Sequence, residues 1–250
     1  MIKGKVWITF KSNMTITLKR PLPLNSFTAI DGHGFDVHIT GVGCLLVYKA
    51  TDIIIHVLSI HHCKPETSCN VMGPNEKAIP LGQVDRGAIR VVSARKVWID
   101  HNTLYEYPDG LLDVTCGSTD VTMSNNWFRD QDKVMLLGHD DGYLEDKNMK
   151  VTVILNYFRP NCNQRMPRVR YGYVHIANNF YQGWELYTIG GSMGPSIESE
   201  ANSFVAPNDT GKKMAIWKDE DSCGAKPNYN QEQNFKVADA GSVKELTSES

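Results

Sequence analysis

The chain has 250 residues, 41% of them hydrophobic and 22% charged, with a formal net charge of −2 and a sequence pI near 6.4. That is material for one sizeable core. The charge balance argues against a general nucleic-acid binder, and no uninterrupted apolar run of about 18 residues suggests a membrane-spanning helix.

The first residues carry Lys3, Lys5, Lys11, Lys19 and Arg20 without a continuous apolar stretch, so no secretion signal is read there. Lys5-Val-Trp-Ile-Thr-Phe10 already reads as a strand, and the N-terminus is expected to be truncated. Residues 6–10, 15–18, 37–39, 45–48 and 53–60 read as short strands. Asp31-Gly-His-Gly34 and Gly41-Val-Gly43 punctuate them as turns. Residues 62–83 read as a long loop rich in Pro, Gly and Asn. Of the six cysteines, Cys63 and Cys69 bracket part of that loop. They either pair, implying an oxidising compartment, or stay as thiols. A zinc site from His61, His62, Cys63 and Cys69 fits no standard spacing. Asn13-Met-Thr15 and Asn208-Asp-Thr210 are glycosylation sequons.

From residue 85 the pattern becomes regular. Asparagine, any residue, then a large apolar residue recurs as Asn102-Thr-Leu104, Asn126-Trp-Phe128, Asn156-Tyr-Phe158, Asn179-Phe-Tyr181 and Asn202-Ser-Phe204, in steps of 24, 30, 23 and 23 residues. A β-rich segment precedes each of the first four, as in Val97-Trp-Ile-Asp-His101 and Val174-His-Ile-Ala-Asn178. Repeats of this length mark stacked architectures. Strands returning to one slot stack about 4.8 Å apart, and their asparagines can hydrogen-bond as an amide ladder. The expected fold is an all-β, single-domain parallel β-helix over residues 1–207. Leu58 occupies the slot that asparagine takes later. Residues 208–250 form a polar tail, partly irregular, with 244–250 disordered.

The repeat aligns residues far apart in sequence. Asp85 lies 17 residues before Asn102, and Asp109 lies 17 before Asn126. Lys133 lies a further 24 on, and Asp113 shares a strand face with Asp109 if a corner separates them. The next coil opens with Gln164-Arg165-Met-Pro-Arg168-Val-Arg170. Stacked carboxylates repel unless a cation joins them, and oxygen-only donors suit Ca2+. Arginines beside such a cluster suit a carboxylate-bearing substrate.

Asp109-Gly-Leu-Leu-Asp113, Lys133-Val-Met-Leu-Leu-Gly-His139, Gln164-Arg-Met-Pro-Arg-Val-Arg170, Val97-Trp-Ile-Asp-His101 and Ile189-Gly-Gly-Ser192 resemble plant-type pectate lyases and their pollen-allergen branch. The likeness covers residues 5–207. It implies a right-handed parallel β-helix that acts outside the cell on plant-wall pectate with Ca2+, as a monomer and without nucleic-acid or membrane partners. Asp85, Asp109 and Asp113 match the calcium ligands, Arg165 the catalytic base, and Lys133 and Arg170 the substrate-carboxylate binders. His101 is the alternative base. A guanidine base, which gives up its proton only far above neutral pH, implies an alkaline rate optimum. The sequence departs from the family at Asp85-Arg-Gly-Ala88-Ile, where the usual Asp-Gly-Asp-Ala-Ile has lost its second acid to Gly87. That change, and apparent shortening at both ends, leave a non-catalytic wall-polysaccharide binder as the alternative. A plain scaffold repeat is the third class.

Overall fold

Every coil of the chain closes on the one before it through parallel backbone pairing. The computed structural model describes residues 4–65, 69–72, 78–81, 87–209, 211–218 and 235–248. Three parallel sheets run the length of the molecule. The first holds Val6–Thr9, Thr28–Asp31, Thr51–His56, Arg95–Asp100, Thr119–Ser124, Lys150–Ile154, Tyr173–Ala177 and Ser196–Glu200. The second runs from Met14–Leu18 through Ser59–Lys64, Thr103–Tyr105 and Trp127–Arg129 to Ser203–Val205. The third holds Leu22–Leu24, Leu45–Tyr48, Ile89–Val92, Gly110–Thr115, Gln131–Leu137, Cys162–Gln164, Arg168–Arg170, Tyr187–Ser192 and Lys213–Lys218. The architecture is the expected right-handed parallel β-helix.

Alternation within each strand builds the core. In the first sheet Ile53, Val97, Val121, Val151 and Val174 form one inward column. Ile55, Ile99, Met123, Val153 and Ile176 form the next, and all ten are at most 2% exposed. β-Branched residues dominate because they pack well on a pleated, buried surface.

The asparagine slot lies at the corner between the first and second sheets. Val57, His101, Asn125, Leu155, Asn178 and Ala201 all have φ between +48° and +57°, each just before a slot residue. This left-handed turn redirects the chain through the corner. Asn102, Asn126, Asn156, Asn179 and Asn202 follow it, the first four each passing Nδ2–H to the next Oδ1 at 2.9–3.1 Å. The ladder starts at Leu58, whose N–H donates to Asn102 Oδ1 at 3.0 Å. The apolar residue two places on stacks inside. Phe128, Phe158, Tyr181 and Phe204 lie 4.7–5.1 Å apart at interplanar angles of 13° or less.

Several expectations change. Residues 53–60 are two strands, Thr51–His56 and Ser59–Lys64, because the corner at Val57 falls inside that apolar run. The 62–83 loop contains an antiparallel hairpin, Cys69–Met72 with Ala78–Leu81. Cys63 pairs with Cys44, not Cys69, because coil stacking brings those Cα atoms within 5.8 Å despite 19 residues of separation. The zinc site through Cys63 is thereby lost. Past residue 207, Lys213–Lys218 adds a strand to the third sheet. Residues 243–248, read as part of a disordered end, form a short helix (Val243–Ser248). Its Val243 and Thr247 are buried, and the Thr247 carbonyl accepts from Trp127 Nε1 at 2.8 Å.

Candidate active site on the third sheet

Among the described residues, Asp113, Lys133 and Arg170 lie on strands of the third sheet, and Asp109 and Arg165 flank them. Gly110–Thr115 and Gln131–Leu137 pair with Gly110 opposite Lys133 and Asp113 opposite Leu136, a step of 23 residues. Lys133 therefore does not stand opposite Asp109, as the 24-residue spacing suggests. It reaches diagonally, with Nζ 3.2 Å from Asp109 Oδ1. Gln131 sets this approach: its side chain bonds Tyr107 N and O at 2.9 Å and donates to the Asp109 carbonyl. That clasp fixes the entry to the strand one residue out of step with the ladder.

Asp113 is 6% exposed. Its carboxylate folds back over two glycines. A Cβ on Gly110 would lie 2.6 Å from Asp113 Oδ1, and one on Gly87 would lie 2.7 Å from Oδ2. This places the Asp113 carboxylate against the residue beside Asp109, while Gly110–Thr115 itself runs as one continuous strand. Asp85 lies outside the described residues. Arg90, missed in the sequence reading, is 3% exposed and stands directly opposite Asp113 in the ladder. Aligning strand interiors at the 23-residue step would have found it.

Arg165 sits at a break in register. Lys133 pairs with Gln164, 31 residues on, whereas Leu136 pairs with Arg168, 32 on. One extra residue is accommodated between Cys162–Gln164 and Arg168–Arg170, and Arg165 takes it up with φ +61°. Bulges of this kind re-aim side chains and recur beside active sites. The Arg165 carbonyl accepts from Met135 N at 2.7 Å, so the backbone remains anchored. Its Nε is buried without a hydrogen-bond partner among the described residues.

The other two arginines are engaged. Arg168 Nη2 donates to Ser192 Oγ at 2.9 Å. Arg170 Nε donates to Asp141 Oδ1 at 2.9 Å. Asp141 belongs to the acidic insertion, which Asp146 ties down by accepting from Gly117 N at 2.7 Å and His139 N at 2.6 Å. Burial pushes the Asp146 carboxyl above the usual range despite those two bonds. His101 lies at the corner between the first and second sheets, paired with Asp100 rather than with any third-sheet residue.

A family model described as "Pectate lyase" matches residues 14–247. The chain belongs to the pectate lyase family. It is 50% identical over 210 residues to "Pectate lyase 1" of Hesperocyparis arizonica, covering 83% of this chain and 57% of that protein. It is 48% identical over 204 residues to "Putative pectate lyase 11" of Arabidopsis thaliana, covering 81% and 49%. The crystal structure of jun a 1, the major allergen from cedar pollen, matches with a TM-score of 0.90 at 40% identity over 98% of this chain and 80% of that one. The chain thus spans only about half the length of the curated relatives it matches.

Within the pectate lyase family's β-helix, the donor set here suits a hard divalent ion. Asp109 and Asp113 offer only carboxylate oxygens; that of Asp113 lies against Gly110, and that of Asp109 is held by Lys133. Gly87 contributes none, and the Asp113 carboxylate leans into the space its Cβ would fill. Among the described residues, no helix is long and apolar enough to cross a membrane.

Proposed function

We propose that the third-sheet site is that of a calcium-dependent pectate lyase, cleaving de-esterified polygalacturonate by β-elimination to 4,5-unsaturated oligogalacturonides. The observation that carries this reading is Arg165. It projects from a bulge one ladder step past Lys133, with its Nε buried and unbonded among the described residues. Arg165 takes the proton from C5 of a galacturonate unit. That carbon bears the carboxylate, so proton loss spreads charge onto the carboxylate oxygens. Lys133 and Arg170 bind substrate carboxylates by exchanging Asp109 and Asp141 for them, a swap of like for like in charge. The C4 oxygen leaves with its electron pair as the C4–C5 double bond forms. No water attacks, so the paired acid and base of a hydrolase have no role. Asp85, Asp109 and Asp113 would hold Ca2+, which when bound stabilises the charge developing on the substrate carboxylate.

The same reading places the protein outside the cell at the plant wall, acting as a monomer on pectate. The Cys44–Cys63 disulfide, a feature of oxidising compartments, supports that location. A non-catalytic pectate-binding protein is the second reading, favoured by Gly87 in place of an acid, because affinity for Ca2+ follows ligand charge. The deciding experiment follows ultraviolet absorbance of unsaturated product from polygalacturonate at alkaline pH, with millimolar Ca2+ or with EDTA. A rise that EDTA abolishes supports the lyase. No rise with retained pectate binding supports the binder, and neither result leaves only the scaffold.

A further inference from the structure

We propose that His56, Asp100 and His101 form a second metal site, for a borderline divalent transition ion such as Zn2+, at the corner of the first sheet. His56 and Asp100 end neighbouring strands in direct register. Their side chains therefore leave the sheet on one side, about 4.8 Å apart at the backbone. His101 follows at the left-handed corner, where the turn brings its ring back over Asp100. Both imidazoles converge through Nδ1 on a single oxygen, Asp100 Oδ2, at 3.0 Å from His56 and 2.7 Å from His101. The ring centroids are 5.4 Å apart and the planes nearly perpendicular, at 73°.

The spacing and the donors both point to an ion. Zn–N and Zn–O bonds of about 2.0–2.2 Å, at tetrahedral or octahedral angles, set ligand atoms roughly 3.0–3.4 Å apart. The two imidazole-to-carboxylate distances need to open by only a few tenths of an ångström, and all three donor atoms lie within 4.8 Å of one another. Two imidazoles and one carboxylate favour zinc, copper or nickel over calcium, which prefers oxygen. Coordination through Nδ1 needs each ring to carry its proton on Nε2.

The carboxylate is already oriented. Asp100 Oδ1 accepts from Ser124 Oγ at 2.6 Å and Asn125 Nδ2 at 3.0 Å, and Trp98 Nε1 donates to the same Ser124 oxygen at 2.8 Å. Outer partners of this kind fix ligands and tune affinity. Burial alone would raise the Asp100 carboxyl, but bonds from Ser124, Asn125 and His101 hold it below the usual range. Asp31, in register with His56 on the preceding coil, stays outside the group, its carboxylate accepting from Trp7 Nε1 and the His33 N–H. Asp100 is buried, whereas the His101 side chain is 40% exposed. An ion here would be held from below and open to solvent above.

The test titrates Zn2+ against a chromophoric chelator in millimolar Ca2+, with the intact protein. The expected result is one equivalent bound, with His101→Gln and His56→Gln each weakening binding by more than about tenfold. His62→Gln, in the separate cluster of His38, His61 and His62, should bind as the wild type does. Zn2+ should also raise the melting temperature of the wild type and not that of His101→Gln. The exposed His101 variant decides the matter if His56→Gln fails to fold. Less than one equivalent bound at micromolar Zn2+, or binding that survives His101→Gln or disappears in His62→Gln, overturns the proposal.

Discussion

Lys133 Nζ meets Asp109 Oδ1 at 3.2 Å across the junction of two coils, on side chains 36% and 43% exposed. An exposed pair of this kind contributes about 0–1 kcal/mol to stability. A charge-assisted bond to substrate is worth about 1.5–3 kcal/mol. Lys133→Ala should therefore leave the melting temperature almost unchanged and lower kcat/KM on polygalacturonate by roughly ten- to a hundredfold. Parallel melting curves and steady-state rates on the same preparation check both halves.

Gly110 allows Asp113 to fold back. In Gly110→Ala the new Cβ would meet only the end of that side chain, Oδ1 at 2.6 Å, with no backbone atom in its way. The carboxylate yields and the sheet stays. Stability should change by no more than about 1 kcal/mol, while the Ca2+ concentration for half-maximal activity rises roughly tenfold. Calcium titration of activity, set beside a melting curve, separates the two effects.

Asn126 is 0% exposed and holds its neighbours on both sides. Its Oδ1 accepts from Asn102 N and Nδ2, and its Nδ2 donates to Ile99 O and Asn156 Oδ1. Asn126→Ala removes the acceptor of the buried Asn102 N–H and the donor to Ile99 O, and opens a cavity. The expected loss is about 3 kcal/mol or more, measured by denaturant unfolding.

His61 links folding to pH. Burial, then the neighbouring His38, His62 and Arg129, hold its imidazole below the ordinary value, with Glu106 opposing. A base held low resists protonation in the folded protein, so the unfolded chain takes up the proton first. Its contribution is full above about pH 6.5 and falls as pH drops below it. His61→Phe, which can keep the 4.5 Å stack on Tyr105, should flatten the stability profile between about pH 7 and pH 5. Unfolding curves across that range give the slope.

The asparagine slots and the aromatic stack were legible in the sequence because each needs one chemistry at one position in every coil. An amide must donate and accept along the axis, and a large apolar ring must fill the interior two residues later. The nearness of Lys133 to Asp109 was legible to within one residue. The Gln131 clasp and the extra residue at Arg165 shift register locally, and neither alters the spacing between asparagines. Arg90 went unseen because it lies inside an apolar strand, where only the 23-residue step exposes its place beside Asp113. Cys44 and Cys63 meet through coil stacking, which sequence proximity does not reveal. Val57 hides its corner because nothing about a valine announces a positive φ.

Arg165 is proposed to take the C5 proton, and the variant that tests this role is Arg165→Lys. The measurement is the initial rate of unsaturated-product formation from polygalacturonate at alkaline pH in millimolar Ca2+, together with pectate affinity. The expected result is a fall in kcat of at least about a hundredfold with pectate affinity nearly unchanged. Turnover equal to that of the wild type in Arg165→Lys would contradict it.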